Sequence, residues 1–403
     1  MAHEKARAEP VPRRASGHAR PRPVAVAALL LTALNLRPAV TSLGPVLQEV
    51  RRDLGMSATV AGLLTSMPVL CFAVVGFTAS RLAARHGSDR VVLAGMAAVA
   101  AGLLLRLFAG GGALFLAASA LALAGIAVAN VLLPAVVKER FPTRVGAMTG
   151  LYSMALNLGA SSAAAATVPL ARTLHGDWRA ALGCWALLAA VAVPPWLALR
   201  GDRARPVAPG TRDARRLARD PVAWALAGYF ALQATAAYVV IGWLPQIFRD
   251  AGLSAETAGL LFSVTSVLGV PLSFALAAAA GRLRGQSALA AVLGAFGLAG
   301  YAGLWAAPAA LPWLWAILLG VANCSFPLAL TMIGLRGRDG PTVARLSTFA
   351  QSVGYLLAVP GPIAVGALYQ HTGGWGAPLA FLAVLMLPQI ATGVLAGRDR
   401  EIA

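Results

Sequence analysis

The sequence predicts an all-α membrane protein, with twelve transmembrane helices in two pseudo-symmetric six-helix bundles. Composition, the number of apolar runs and an internal repeat predict it. Of 403 residues, 59% are hydrophobic and 12% are charged, whereas a soluble domain carries about 25% charged residues. The 42 Gly and 25 Pro agree, because both residues are frequent in transmembrane helices.

A bilayer core takes about 20 apolar residues per helix. Twelve such runs follow one another at 24–48, 58–80, 91–109, 113–137, 146–170, 180–199, 222–248, 257–281, 287–306, 312–335, 346–369 and 377–397. The Lys and Arg distribution orients them. With the N-terminus inside, 26 of the 33 basic residues fall in inner loops and tails. Five fall outside, at Arg51, Arg52, Arg172, Arg179 and Arg249. Arg37 and Arg106 lie within runs. This bias places both termini in the cytoplasm of a multi-pass protein of the cell (inner) membrane, and it agrees with an even helix number.

The chain divides at 200–221, a polar, Arg-rich stretch with interior prolines that cannot span a bilayer. The expected organisation is a disordered basic cytoplasmic tail at 1–23, a six-helix bundle at 24–199 and a cytoplasmic linker at 200–221. A second bundle at 222–397 and a short cytoplasmic tail at 398–403 complete it. The first tail is poor in apolar residues and able to touch anionic headgroups. Its Arg13-Arg14 pair is not read as an export signal, because the run behind it contains Arg37 and offers no convincing cleavage site.

The repeat links the halves. Shifted by 197, residues 52–66 (RDLGMSATVAGLLTS) meet 249–263 (RDAGLSAETAGLLFS) with ten of fifteen positions identical. The fourth run of each half carries Asn130-VLL-Pro134 and Asn323-CSF-Pro327, and the sixth runs begin near Trp178 and Trp375. The repeats point the same way and each has an even number of helices. They are therefore related by an axis along the membrane normal.

Several functions are excluded by composition. A net charge of +18 in a soluble chain would suggest nucleic acid. Here the apolar bulk and the use of 31 Arg against 2 Lys argue against it, so no nucleic-acid partner is expected. Cys71, Cys184 and Cys324 sit apart inside apolar runs, without metal-ligand spacing. No Walker-type loop, nucleophile triad, metal cluster or paired carboxylate is present, so neither enzyme activity nor a metal or other cofactor is expected.

Three segments carry a family resemblance: 34–45 (LNLRPAVTSLGP), 62–72 (GLLTSMPVLCF) and 130–160 (NVLLPAVVKERFPTRVGAMTGLYSMALNLGA). They resemble the cyanate permease and nitroimidazole transporter branch of the major facilitator superfamily, and the likeness runs from about residue 30 to 397. It implies the major facilitator fold, with a site between two bundles, and cyanate-like anions or small nitro-heterocycles as substrates. In the family's gating loop Arg85 and Gly87 match, while Ser80 stands for the usual Gly and Ala84 for the usual Asp. The Gly-Pro motif of many drug antiporters is missing from 146–170.

Arg37 is the main candidate site residue. It lies about 13 residues into the first run, roughly 20 Å deep at 1.5 Å per residue. A charge there costs from a few to more than ten kcal/mol, so it must face a cavity or a partner. No acidic residue or histidine falls near the centre of a run. A substrate anion is therefore expected to supply the counter-charge, which the planar guanidinium suits. By the 197 shift Arg37 corresponds to Ala234 and Thr41 to Tyr238. One Arg in a pseudo-symmetric cavity suits a monoanion rather than a dianion.

Asn130 and Asn323 each precede a proline by four residues, so each is expected to combine a freed carbonyl, an amide and a kink. They read equally as a symmetric pair of substrate ligands or as kink repair. Tyr152, Asn157, Gln233, Tyr238, Gln351 and Tyr355 are further polar candidates, on the fifth, seventh and eleventh helices that line the family's cavity. Thr41 joins Arg37 on the first. Arg106, near the outer end of its run, is expected to snorkel to the interface.

These readings combine in a secondary or facilitative transporter of a small anionic or polar solute, a monomer working by alternating access. Coupling is expected to be uniport, anion exchange, or symport with the proton on the substrate. A drug or metabolite exporter and a non-transporting membrane receptor or scaffold are the alternatives.

Overall fold

A computed structural model describes residues 23–141, 144–199, 219–338 and 340–400. Residues 1–22, the 200–218 stretch and 401–403 lie outside it, and so do most of the predicted tail and linker. The described chain is helical, with twelve segments long and apolar enough to cross a membrane. Twelve crossings put the two ends of the described chain on one face, the termini face, opposite a far face.

The first span is not one helix. It comprises α1 (Pro23–Asn35), α2 (Pro38–Thr41) and α3 (Leu43–Asp53). This corrects the continuous helix expected over 24–48. Pro38 cannot donate to the Leu34 carbonyl, and Pro45 cannot donate to that of Thr41. The helix therefore stops twice within the hydrocarbon region. Asn35 repairs part of the damage and ties the span to its neighbour, donating to Leu31 O (2.8 Å) and Leu188 O (3.1 Å).

Five uninterrupted helices complete the first bundle: α4 (Ala58–His86), α5 (Ser88–Leu107), α6 (Gly112–Arg140), α7 (Val145–Thr173) and α8 (Trp178–Ala198). In the second, α9 (Pro221–Asp250), α10 (Ala255–Arg282), α11 (Ser287–Ala306) and α16 (Gly376–Ala396) are single helices. Its fourth span splits into α12 (Pro312–Ala322) and α13 (Ser325–Arg336). Its fifth splits into α14 (Gly340–Ala358) and α15 (Pro360–Thr372). The expected pair of fourth-helix kinks is thus unequal: the chain breaks at Asn323, while α6 runs on through Pro134.

The internal repeat has a structural reason. In both copies an Arg-Asp pair ends a helix, and a Gly with positive φ turns the chain, at Gly55 (+62°) and Gly252 (+95°). A Ser then caps the next helix: Ser57 Oγ accepts from Val60 N (3.2 Å) and Ser254 Oγ from Thr257 N (3.1 Å). The capping bond satisfies an orphan N–H of the first turn. Five residues on from each Ser, Gly62 and Gly259 let these helices touch the opposite bundle. A Cβ would stand 2.7 Å from Pro362 O at Gly62 and 2.6 Å from Ala164 O at Gly259. The two bundles therefore meet along α4–α15 and α7–α10, related by the pseudo-twofold.

Candidate functional site

Arg37 occupies the gap between α1 and α2, with φ −115° and ψ −35°. Its carbonyl accepts from Val40 N (2.9 Å), Thr41 N (3.0 Å) and Thr41 Oγ1 (3.2 Å). The break therefore stabilises itself locally and leaves the guanidinium free to point between the bundles. Across the interface Tyr238 of α9 and Tyr355 of α14 lie within electrostatic reach of Arg37. Tyr355 stacks on Phe72 of α4 (5.1 Å between ring centroids) and meets Phe230 edge-on (4.9 Å). No carboxylate pairs with Arg37 among the described residues.

The remaining candidates separate. Thr41 is buried with its hydroxyl turned onto the Arg37 carbonyl. Gln233 and Asn323 line a different cavity, inside the second bundle, with Tyr301, Met386 and Gln389. There Gln233 Oε1 and Gln389 Oε1 are buried without a partner. Asn157 donates back to Ser153 O (2.9 Å) and faces Gly269 across the α7–α10 contact. Gln351 donates to Ser347 Oγ (2.7 Å). Tyr152 packs beside the first bundle's core, and Asn130 is half-buried with no hydrogen bond to a described residue. The structure thus brings Arg37, Tyr238 and Tyr355 together and sends Gln233 and Asn323 to a separate cavity.

Arg106 departs from expectation. It does not snorkel: it is 2% exposed, donating to Ser119 Oγ (2.9 Å) and Ala39 O (2.8 Å). Its position in the last turn of α5 allowed either direction. Small residues on α6 bring Ser119 within reach, and the broken first span brings the Ala39 carbonyl. Gln389 and Tyr301 were legible only as polar breaks in apolar runs, and no spacing linked them to Gln233.

On the termini face, Arg85 is exposed and Gly87, with φ +88°, joins α4 to α5. Asp89, two residues beyond Gly87, is ion-paired with Arg140 at the end of α6. The same cluster holds Glu139, whose carboxyl burial and then the Asp89 charge push above the usual range, against Ser88 and Arg140.

On the far face the bundles are latched. Arg249 of α9 reaches Glu49 of α3 through two bonds of 2.7 Å and also donates to Pro45 O (3.1 Å). Arg172 pairs with Glu256. Asp250 accepts from Tyr369 Oη (2.8 Å) and Trp375 Nε1 (2.8 Å), as its repeat partner Asp53 accepts from Arg179. The latch is one-sided, because the residue equivalent to Glu49 is the uncharged Gln246. A charge-assisted, half-buried pair of this geometry holds the face by about 1 kcal/mol. Glu49→Gln should therefore speed maleimide labelling of a cysteine placed at Val46, buried beneath the latch, by roughly fivefold.

A split first span thus lies beside the seventh, with a polar centre between two bundles related by a repeat. The Major Facilitator Superfamily profile matches residues 29–359. The chain belongs to the major facilitator superfamily. It is a multi-pass transmembrane transporter and not an enzyme. It is 36% identical over 379 residues to an uncharacterized transporter of Bacillus subtilis, YycB, covering 94% of each chain. It is 33% identical over 384 residues to the 2-nitroimidazole transporter of Escherichia coli, covering 94% and 96% of the two chains. It is 32% identical over 361 residues to the cyanate transport protein CynX of Escherichia coli, covering 89% and 93%. The fold matches that of the nucleoside transporter NupG with a TM-score of 0.77 at 12% identity, over 93% and 99% of the chains.

Proposed function

We propose that this transporter moves a small monoanion across the cell membrane by alternating access, with Arg37 as the anchor of the substrate. One observation carries the reading: a guanidinium sits at a helix break between the bundles, with tyrosine hydroxyls near and no carboxylate partner among the described residues. Arg37 is only partly buried, but a cation at this depth without a counter-ion is costly, and a passing anion removes that cost while bound. The planar fork of Arg binds compact planar or linear anions through two donors. The resemblance to CynX, named for cyanate, supports the same class.

Both termini lie in the cytoplasm on the Lys and Arg bias, so the latched far face is the outer one. In that arrangement, opening the Glu49–Arg249 latch exposes the substrate site to the outside. No proton-carrying side chain is assigned, and coupling is uniport, exchange or symport of the protonated substrate.

A second reading has one observation in its favour. The aromatic group of Phe72, Tyr355 and Phe230 beside Arg37 offers ring faces, which suit a small nitro-heterocycle of the kind named for the relative from Escherichia coli. Uptake into proteoliposomes distinguishes the two. The panel holds labelled cyanate, nitrite, formate, a dicarboxylate, an organic cation and 2-nitroimidazole. Saturable uptake of the monoanions alone is the expected result. Uptake of 2-nitroimidazole alone would favour the second reading, and uptake of the cation or the dicarboxylate would overturn the first.

A further inference from the structure

Arg106 is a buried cation that the fold does not neutralise. Its guanidinium offers five N–H donors. Nε is taken by Ser119 Oγ and Nη1 by the Ala39 carbonyl, and the Phe115 ring lies 5.3 Å from the guanidinium carbon. Among the described residues no carboxylate reaches it, and Nη2 has no acceptor. Two neutral oxygens and a ring face orient a charge without cancelling it. A fully charged group left so in a low-dielectric interior is destabilising unless something else enters the site.

The side chain also lines a cavity, with Ala39, Val40, Gly44, Thr65 and Tyr238 among its walls. The cavity measures about 10 Å³, room for one water-sized body. It lies on the far-face side of Arg37, because its walls Ala39 to Gly44 follow Arg37 along the first span towards that face. Tyr238 belongs to both places: it lines this cavity, and it lies within electrostatic reach of Arg37. At Gly44 a Cβ would stand 2.7 Å from Ile241 O. The α3–α9 contact that the latch holds shut is thus also a wall of the cavity.

We propose that Arg106 forms a second anion position in the pathway, one step to the far-face side of Arg37, with Nη2 as its free donor. The inference rests on the anion reading of Arg37. An anion entering when the latch parts meets Arg106 first. It then passes Tyr238, which can donate to it, and reaches Arg37. The closed cavity holds one water-sized body, so this position opens to a compact monoanion only as the latch parts. Arg106 also fixes the Ala39 carbonyl, so it holds the broken span that presents Arg37.

Azide tests this, because it is a linear triatomic monoanion whose antisymmetric stretch shifts on binding a guanidinium. Infrared spectra are recorded on purified full-length protein that is monodisperse and melts normally. Arg37→Ala is expected to keep a bound-azide band, and Arg37→Ala with Arg106→Gln is expected to lose it. Arg106→Lys, which keeps the charge without the fork, is expected to fold and to give a band at a different frequency. In uptake, Arg106→Gln is expected to raise KM about tenfold with kcat largely kept, as for one lost charge-assisted hydrogen bond. No bound azide in Arg37→Ala, or an unchanged band in Arg106→Lys, would overturn the proposal and leave the cavity to water. A band that depends on Arg106 and not on Arg37 would sustain it while removing the anchor role from Arg37.

Discussion

Arg37→Ala is expected to abolish saturable anion uptake, lowering kcat/KM at least about 100-fold, the loss of two charge-assisted hydrogen bonds. The protein should still fold. The guanidinium makes no ion pair among the described residues, and the break is held by the main chain and Thr41. Removing an unpaired charge from the hydrocarbon region relieves a cost rather than creating one. The melting temperature should therefore stay level or rise while transport disappears. Arg37→Lys should fall between, because lysine supplies a point charge without the fork. Side-by-side melting curves and uptake rates check both halves. A variant that loses stability and transport together would show that the residue supports the helix break instead.

Gly159→Ala is expected to damage the site from behind. A Cβ on Gly159 would stand 2.1 Å from the Leu34 carbonyl oxygen and 3.0 Å from its carbon. Both are backbone atoms, so no rotamer change relieves the clash. That carbonyl is the one Pro38 frees, and α7 at Gly159 closes over it. Adding one methyl must push α7 from α1 or re-form the break, at about 1–3 kcal/mol for overpacking. A shift of about 1 Å in the residue that anchors substrate costs as much as 100-fold in rate. Lower thermal stability with a raised KM is the expected result, and an unchanged melting temperature and KM would refute the packing argument.

Much of this was legible in the sequence because the bilayer imposes few solutions. Length and hydropathy locate spans, and the 52–66 and 249–263 repeat marks the turn, the Ser cap and the close-approach glycines at one stroke. Arg37 was legible because charge is rare at mid-membrane depth. The helix breaks were less so. Proline content points to them, yet Pro134 leaves α6 continuous while the chain opens at Asn323, since neighbouring helices decide whether a freed carbonyl finds another donor. The direction of Arg106 was not legible at all. A long side chain in a last turn can reach the interface or the core, and only the position of Ser119 and Ala39 settles which. Likewise Gln233 and Asn323 carry no mark that sends them to a cavity inside one bundle while Tyr238 faces between two.

The most direct measurement of the central claim is equilibrium binding of labelled cyanate to purified wild-type protein beside Arg37→Ala, with small monoanions and an organic cation as competitors. The account predicts saturable binding to wild type, displaced by monoanions only, and loss of that site in the variant, with only the weaker position at Arg106 left. Equal binding by the two proteins, or displacement by the cation, would contradict it.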